Sequence, residues 1–152
     1  MIREFNDKDY EIYYKMSKDF YHSNAVIDEG IEDKYLKKTF NLILNNSPYV
    51  KGYMILDNEI NKNIVGYVLL SFTYSNELGG LMLLLEELYI KKEFQNQGYG
   101  SKTLKEIHDL YEDKVTSIKL EVNDCNEEAL SLYKRRGFEE REYIQMIKTI
   151  DN

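Results

Sequence analysis

A short glycine-containing segment carries the most specific chemical signal in the sequence. It runs Gln95-Asn96-Gln97-Gly98-Tyr99-Gly100-Ser101, between an apolar run and a stretch with helical spacing. The first turn of a helix has unpaired backbone N–H groups and a partial positive charge, so it favours anions such as phosphates. Glycines let the backbone approach such a ligand closely. The segment therefore indicates an anion site, or else a glycine turn that binds nothing.

Two nucleotide-binding motifs do not fit this segment. The dinucleotide motif GxGxxG needs a third glycine, but Gly98 and Gly100 are followed by Thr103 at that place. A P-loop needs GxxxxGK[ST], whereas Lys102 follows Gly100-Ser101 and the upstream glycine is missing. Both classes of nucleotide site are excluded here.

Two neighbouring acids interrupt the apolar run before this segment. Glu86-Glu87 stand between Leu81–Leu85 and Leu88-Tyr89-Ile90. Adjacent strand residues point to opposite faces, so both carboxylates cannot face water if one face is covered. The pair predicts a carboxylate in a cleft, a bulge that re-aims the strand, or an exposed pair near the strand end. A cleft carboxylate can bind a cationic amine or accept its proton.

A third pattern extends from Asn126 to Phe138. Asn126 and Tyr133 are seven positions apart, so they share one face of a helix. A tyrosine in that position belongs to a core unless other evidence gives it a role. The basic group Lys134-Arg135-Arg136 suits either the end of the helix or a ligand phosphate.

The elements that must position these residues follow from periodicity and turn residues. A weak strand at Ile2–Phe5 precedes a cap at Asn6-Asp7 and a helix to about Tyr21, followed by a loop from His22 to Gly30. Beyond it we predict a helix from Ile31 that stops at Asn45–Pro48, strands at 49–56, 64–73 and 81–90, and a helix after Gly98. A strand at 118–122, a helix at 126–135 closed by Gly137 and a last strand at 143–150 complete the prediction.

The order β-α-α-β-β-β-α-β-α-β predicts a mixed α/β sheet with helices on both faces. Three consecutive strands joined by short turns, Asp57-Asn58-Glu59 included, favour antiparallel pairing, whereas the strand–helix–strand passage from Gly98 to Val122 favours a parallel neighbour. The chain has 152 residues and no linker or repeat, which predicts one domain over residues 1–152.

Composition removes several classes of function. The formal charge is −7 and the sequence has no run of basic residues longer than Lys134-Arg135-Arg136, which argues against a nucleic-acid partner. Cys125 is the single cysteine, and the two histidines, His22 and His108, are too far apart for a helical pair, so no metal site is predicted. No signal region and no apolar stretch of ~20 residues occurs, which predicts a soluble cytoplasmic protein without a membrane partner.

Together the three patterns resemble the GNAT superfamily of acetyl-coenzyme A-dependent N-acyltransferases. That family carries Q/R-x-x-G-x-G/A at a strand-to-helix turn, here Gln95–Gly100, and N-x-x-A-x-x-x-Y-x-x-x-G-F further on, here Asn126–Phe138. The order of elements matches as well, and the resemblance covers nearly the whole chain. Within the family, residues 85–89 and 133–137 look most like the diamine (polyamine) acetyltransferases.

The resemblance implies a role for each motif. Acetyl-CoA would be the co-substrate, with its pyrophosphate on the backbone N–H groups from Gln97 to Ser101 and its pantetheine arm paired with the backbone of Leu88 and Ile90, where two strands splay. Tyr133 would be the general acid for the departing thiolate, and Glu86 the base. The implied cofactor-binding residues are Leu88, Tyr89, Ile90, Gln95, Asn96, Gln97, Gly98, Tyr99, Gly100, Ser101, Asn126 and Tyr133, and Glu86 and Glu87 would bind the acceptor.

The function implied is direct acetyl transfer to a primary amine of a small molecule or peptide, without a metal. Several alternatives stay open: a non-catalytic acyl-CoA-binding module on the same fold, Glu87 or a water relay in place of Glu86 as base, and the identity of the amine. A homodimer is expected from family habit alone.

Overall fold

A five-stranded sheet with helices on both faces forms the body of the computed structural model, which describes residues 1–26, 30–58 and 60–150. The strands are β1 (Ile2–Glu4), β2 (Val50–Leu56), β3 (Ile64–Ser75), β4 (Gly80–Ile90) and β5 (Ser117–Leu120), and the helices are α1 (Tyr10–Tyr21), α2 (Asp33–Leu44), α3 (Tyr99–Tyr111) and α4 (Glu127–Arg135). The predicted mixed α/β fold is confirmed. Residues 27–29 of the predicted loop and Glu59 of the predicted turn lie outside the described residues.

The sheet has the order β1-β2-β3-β4-β5, so each strand pairs with its neighbour along the chain. The first four strands are antiparallel, and β5 pairs parallel to β4. The helix α3 makes the crossover that a parallel pair requires. These pairings agree with the prediction from turn lengths.

Local sequence sets the helix boundaries. Asn6 caps a 3-10 turn at Asp7–Asp9 by accepting from the Lys8 backbone N–H, while the Asp9 carboxylate accepts from the Asn6 N–H, and this capping box leads into α1. At the other end of the chain, Asn126 caps α4 and Gly137, with φ of 84°, follows it. Both ends of α4 therefore lie where the turn residues predicted.

Two apolar clusters lie on opposite faces of the sheet. The first packs α1 and α2 against the sheet and includes Tyr13, Phe20, Leu36, Phe40, Met54, Tyr67, Leu69 and Tyr89. The second packs α3 against it and includes Val68, Leu70, Leu83, Leu85, Leu104 and Ile107, with Leu132 and Tyr133 of α4 alongside.

Among the described residues, no helix has the length and apolar character needed to cross a bilayer.

The predicted last strand at 143–150 is wrong for the single chain. Residues 139–150 belong to no helix or strand, and their side chains are exposed. A strand needs a neighbouring backbone for its hydrogen bonds, and none of the described strands pairs with this segment.

Gly66 lets β3 approach β4 closely. A Cβ built at Gly66 would lie 2.1 Å from the backbone oxygen of Tyr89. We expect Gly66→Ala to lower the free energy of unfolding by about 2 kcal/mol or more, since the strands must move apart to admit the methyl group. Urea denaturation checks this, with Thr73→Ala on the exposed part of β3 as control. Equal unfolding midpoints for Gly66→Ala and the unchanged chain would contradict the prediction.

Candidate active site

A bulge in β4 decides where the two acids point. Leu69 of β3 pairs with Glu87 and Leu70 pairs with Leu85, so Glu86 has no partner residue on β3. Before the bulge, Leu83 and Leu85 pack in the α3 cluster, whereas after it Tyr89 packs in the α1–α2 cluster. The extra residue reverses the alternation, as a bulge must. Of the alternatives that the sequence left open, the structure has the bulge.

Glu87 is turned by the bulge into the interface between the sheet and α1. Its side chain is 7% exposed, and its carboxylate accepts hydrogen bonds from Tyr21 Oη at 2.8 Å and from Tyr67 Oη at 2.5 Å. Ser17 Oγ donates in turn to Tyr67 Oη at 3.0 Å. One buried network therefore joins α1, β3 and β4 beside the bulge.

The acid in this network, Glu87, is hydrogen-bonded to tyrosine hydroxyls and not to a basic side chain. Burial raises the pKa of Glu87, the hydroxyls of Tyr67 and Tyr21 partly oppose this by donating to the carboxylate, and the charge of Glu86 adds to the rise. The described residues include no basic side chain in a salt bridge with Glu87. The Glu87 carboxyl therefore depends on the two tyrosine hydroxyls for its hydrogen bonds.

Glu86, by contrast, is exposed at the bulge. Its carboxylate accepts from Ser71 Oγ of β3 at 2.6 Å. Solvent can reach this carboxylate, while the buried Glu87 is committed to two tyrosine hydroxyls. The two neighbouring acids thus have different surroundings. The exposed Glu86 suits proton exchange, and the buried Glu87 suits a structural role.

A gap between β4 and β5 begins at the same place. The parallel pairing runs from Met82 with Ser117 to Leu85 with Leu120, and β4 continues to Ile90 without β5. The Lys91 N–H donates to the Val65 carbonyl of β3 at 2.9 Å, and alternate residues of an antiparallel strand point their backbone groups the same way. The backbone groups of Leu88 and Ile90 therefore face the gap.

Tyr89 and Gln95 border this gap in different ways. Tyr89 pairs with Tyr67 across β3–β4, and its hydroxyl donates to Asp19 of α1 at 3.3 Å, so its side chain lies on the α1 face. Gln95 Nε2 donates to the Ile90 carbonyl at 2.9 Å and links the glycine segment to the strand. The backbone groups that face the gap belong to Leu88 and Ile90, on either side of Tyr89. The cofactor contact expected of Tyr89 therefore stays a prediction.

The glycine segment forms the start of α3. Asn96 and Gly98 have φ of 59° and 83°, and this left-handed backbone leads into the helix at Tyr99. Within the described chain no side chain caps this end of α3. Its first-turn N–H groups are consequently available to an anion, and the anion site stays a prediction.

The helix α4 lies against this end of α3. A Cβ at Gly100 would lie 3.2 Å from Leu132 Cδ2, so the absence of a side chain allows the close approach. Arg136, just after α4, donates to Ser101 Oγ from both Nε, at 2.7 Å, and Nη2. A guanidinium therefore lies beside the N-terminal amides of α3, where a phosphate would meet both.

Asn126 directly precedes α4, and Tyr133 lies about two turns further along this helix. Asn126 Oδ1 accepts from the Ala129 N–H at 3.3 Å, so part of this side chain serves as helix cap. Tyr133 packs against the α3 cluster that also contacts Leu88, and its ring meets Phe138 with centroids 5.8 Å apart. Burial raises the pKa of Tyr133 to about 12, so its hydroxyl keeps its proton at neutral pH.

Other predicted residues have local partners. Gln97 Nε2 donates to the Glu93 carbonyl at 2.9 Å, and the ring of Tyr99 lies edge-on to Phe94.

His108, Asp109 and Glu112 come together as possible metal ligands on the exposed surface of α3, outside this site.

The sequence patterns did not point to Tyr21, Tyr67 and Ser71, which donate to the two acids, or to Ser17, which donates to Tyr67. Their spacing marked them as ordinary helix or strand positions. The signal in the sequence was an acid inside an apolar strand, because a buried carboxylate requires hydrogen-bond donors opposite it.

Comparison with known proteins now gives the family. Residues 10–138 match the model described as the acetyltransferase (GNAT) family. The chain belongs to the GNAT family.

Curated GNAT relatives match part of the chain. A thialysine N-epsilon-acetyltransferase from Bos taurus is 41% identical over 75 residues, which is 49% of this chain and 44% of the relative. The enzyme of the same name from Mus musculus is 36% identical over the same extent. The chain therefore matches less than half the length of these relatives.

Solved structures share the fold at low identity. A possible acetyltransferase from Clostridium difficile 630 has a TM-score of 0.80 and 17% identity, with 100% of this chain and 98% of that chain covered. AAC(6')-Iy in complex with the bisubstrate analog CoA-S-monomethyl-acetylneamine has a TM-score of 0.78 and 15% identity, with 99% and 98% covered. Both likenesses concern the GNAT fold.

The buried acid predicts how stability depends on pH. A carboxyl whose pKa is raised by folding stabilises the fold most below its unfolded value, and this contribution is lost as pH rises through the folded value. We expect the unfolding free energy of the unchanged chain to fall relative to Glu87→Gln as pH rises above about 4.5, by about 1.4 kcal/mol for each unit of the rise in pKa.

Urea denaturation across a pH series measures this difference, with Glu77→Gln in the exposed β3–β4 turn as the control that follows the unchanged chain. A difference between Glu87→Gln and the unchanged chain that stays constant with pH would contradict the assigned burial.

Proposed function

We propose that residues 1–152 work as one N-acetyltransferase domain, which transfers the acetyl group of acetyl-CoA directly to a primary amine. One observation carries the proposal: the pairing of β4 with β5 ends at Leu85, immediately before the bulge that presents Glu86. The gap therefore has open backbone groups of β4 on one side and the exposed Glu86 carboxylate at its start. Membership of the GNAT family supports the same function.

The position of acetyl-CoA follows from the charges and free backbone groups. Its pyrophosphate suits the amides from Gln97 to Ser101, with Arg136 beside them. Its pantetheine arm suits the backbone groups of Leu88 and the N–H of Ile90, which a strand would otherwise pair, while the Ile90 carbonyl already accepts from Gln95. Contacts from Tyr89, Gln95, Asn96 and Asn126 complete the proposed set of cofactor-binding residues.

The chemistry requires an amine without its extra proton. An alkylammonium has a pKa of about 10.4, so freeing the amine at pH 7 costs about 4.6 kcal/mol. Glu86, reached by solvent at the bulge, accepts that proton directly or through water, with Glu87 beside it as the second acid of the acceptor site. The amine nitrogen then attacks the thioester carbonyl, the C–N bond forms, and the C–S bond breaks.

Tyr133 supplies the proton for the departing thiolate. Its pKa of about 12 keeps the hydroxyl protonated over the whole physiological range. No covalent enzyme intermediate is needed, so Cys125 has no role as a nucleophile. We further propose a cytoplasmic location, because a chain with a single cysteine suits a reducing compartment.

The acceptor is an amine that the acidic surroundings favour. The relatives from Bos taurus and Mus musculus are named thialysine N-epsilon-acetyltransferase, and the structural neighbour AAC(6')-Iy is in complex with the bisubstrate analog CoA-S-monomethyl-acetylneamine. A panel of polyamines, aminoglycosides, lysine-type amino acids and peptides, followed by thiol release from acetyl-CoA, tests the function. Turnover with one class supports acetyl transfer, whereas acetyl-CoA binding without turnover on any amine would favour a non-catalytic acyl-CoA-binding module.

Tyr133→Phe tests the general acid. We expect kcat to fall by about 10²-fold or more while the Kd of acetyl-CoA changes little, because the hydroxyl acts on the leaving thiolate and the ring still packs. Steady-state kinetics and calorimetry measure the two quantities, and Tyr49→Phe at an exposed position is the control. An unchanged kcat would remove this role from Tyr133.

Glu86→Gln tests the base. We expect a lower kcat/KM and a displaced acidic limb of its pH profile, because a neutral amide cannot take the proton from the ammonium. Glu77→Gln, far along the hairpin, should leave the profile unchanged. If Glu87→Gln displaces the profile while Glu86→Gln does not, then Glu87 is the base.

A further inference from the structure

The face of the sheet that carries α1 is open next to Glu86. Alternate residues of β3, β4 and β5 point to the other face, where they pack in or against the α3 cluster: Leu70, Phe72, Leu83, Leu85, Ile118 and Leu120. The residues between them, Ser71, Leu84 and Lys119, therefore point to the α1 face. Ser71 and Leu84 are half-buried there and Lys119 is exposed, so α1 and α2 leave this end of the face uncovered.

Ser71, Leu84 and Lys119 form one row across three strands. Ser71 pairs with Leu84 between β3 and β4, and Leu84 pairs with Lys119 between β4 and β5. Neighbouring strands lie about 4.8 Å apart, so the backbones at the two ends of the row are about 10 Å apart. Ser71 Oγ donates to the Glu86 carboxylate at 2.6 Å, which places this acid at the β3 end. The row thus has a carboxylate at one end, an apolar side chain in the middle and an ammonium at the other end.

The Lys119 ammonium is available to a ligand. Lys119 is the only basic residue in β3, β4 and β5, and the structure describes every residue of these strands. Its Nζ donates to Glu121 Oε1 at 3.3 Å, and both side chains are about half exposed. Such an exposed ion pair contributes little, and the same Glu121 oxygen also accepts from Gln145 Nε2. Lys119 can therefore turn to an incoming carboxylate while Glu121 keeps Gln145 as its partner.

The spacing of these charges fits an acceptor that has a carboxylate as well as an amine. In lysine with an extended side chain, the terminal nitrogen and the carboxylate carbon are about 7 Å apart, with an apolar stem between them. The side chains of Glu86 and Lys119 reach inward from the two ends of the row, and Leu84 lies under the stem. A diamine without a carboxylate would instead bring a second ammonium toward Lys119, and like charges repel.

We propose that Lys119 is a specificity-determining residue, which binds the carboxylate of a lysine-type amino acid whose side-chain amine receives the acetyl group. The inference rests on the proposed acetyl transfer and names its acceptor class. Lys119 takes no part in bond making or proton transfer. It favours an amine with a carboxylate at this distance over a diamine of the same length.

Lysine and cadaverine, its decarboxylated form, are a matched pair of acceptors that differ only in the carboxylate. We expect the unchanged chain to acetylate lysine with a kcat/KM at least about tenfold higher than that for cadaverine. Lys119→Gln should lower kcat/KM for lysine by about tenfold, mainly through KM, because the lost contact acts in the bound substrate and the transition state alike. The value for cadaverine should stay unchanged or rise.

Three further variants sharpen this measurement. Lys119→Arg should keep the preference for lysine, since a guanidinium also binds carboxylates, whereas Lys119→Glu should reverse it. Lys37→Gln makes the same loss of charge on the exposed side of α2 and should keep the preference. Equal kcat/KM for lysine and cadaverine in the unchanged chain, or the same ratio in Lys119→Gln, overturns the proposal.

Calorimetry separates this proposal from acetyl transfer itself. With CoA in place of acetyl-CoA no transfer occurs, and the Kd of lysine and of cadaverine is measured directly. Lysine should bind the unchanged chain more tightly than cadaverine does and should bind Lys119→Gln about tenfold more weakly. This result without turnover of any amine would contradict acetyl transfer but support the carboxylate site. Turnover of amines with no dependence on Lys119 would overturn the carboxylate site alone.

Discussion

The extra residue at Glu86 reverses the alternation of β4, and the chemistry of the site follows from that reversal. Without it, Glu87 would share a face with Leu83 and Leu85 and point into the α3 cluster, away from Tyr21 and Tyr67. With it, Glu87 meets Tyr21 and Tyr67, and Glu86 stands exposed beside Ser71. A buried carboxylate is tolerated only with such partners, so the bulge and the tyrosines depend on each other.

The bulge also coincides with the end of the parallel pairing. β5 follows β4 only as far as Leu85, and the remaining backbone of β4 stays open beside the N-terminus of α3. The contacts of Leu132 with the Gly100 position and of Arg136 with Ser101 bring α4 to the same corner. The strand gap and the helix N-terminus thus lie at one corner, and Tyr133 packs in the α3 cluster together with Leu88 of β4.

Much of this arrangement could be predicted from short-range patterns. Caps at Asn6 and Asn126, the turn at Gly98 and the apolar periods of α1 to α4 are local features, and the structure has them where the sequence indicates. The strand predicted at 143–150 failed for a different reason. Its period is that of a strand, but forming one requires a neighbouring backbone, which local sequence cannot supply.

By itself the sequence determined the α/β class, the order of the elements and the segments that carry chemistry, because periodicity, caps and glycine turns act over a few residues. Only the tertiary structure decided which acid is buried. The two glutamates are chemically alike, and their difference arises from hydroxyls that lie 66 and 20 positions away from Glu87 along the chain. Contacts at such separations depend on how strands and helices pack, and a single sequence does not record that packing.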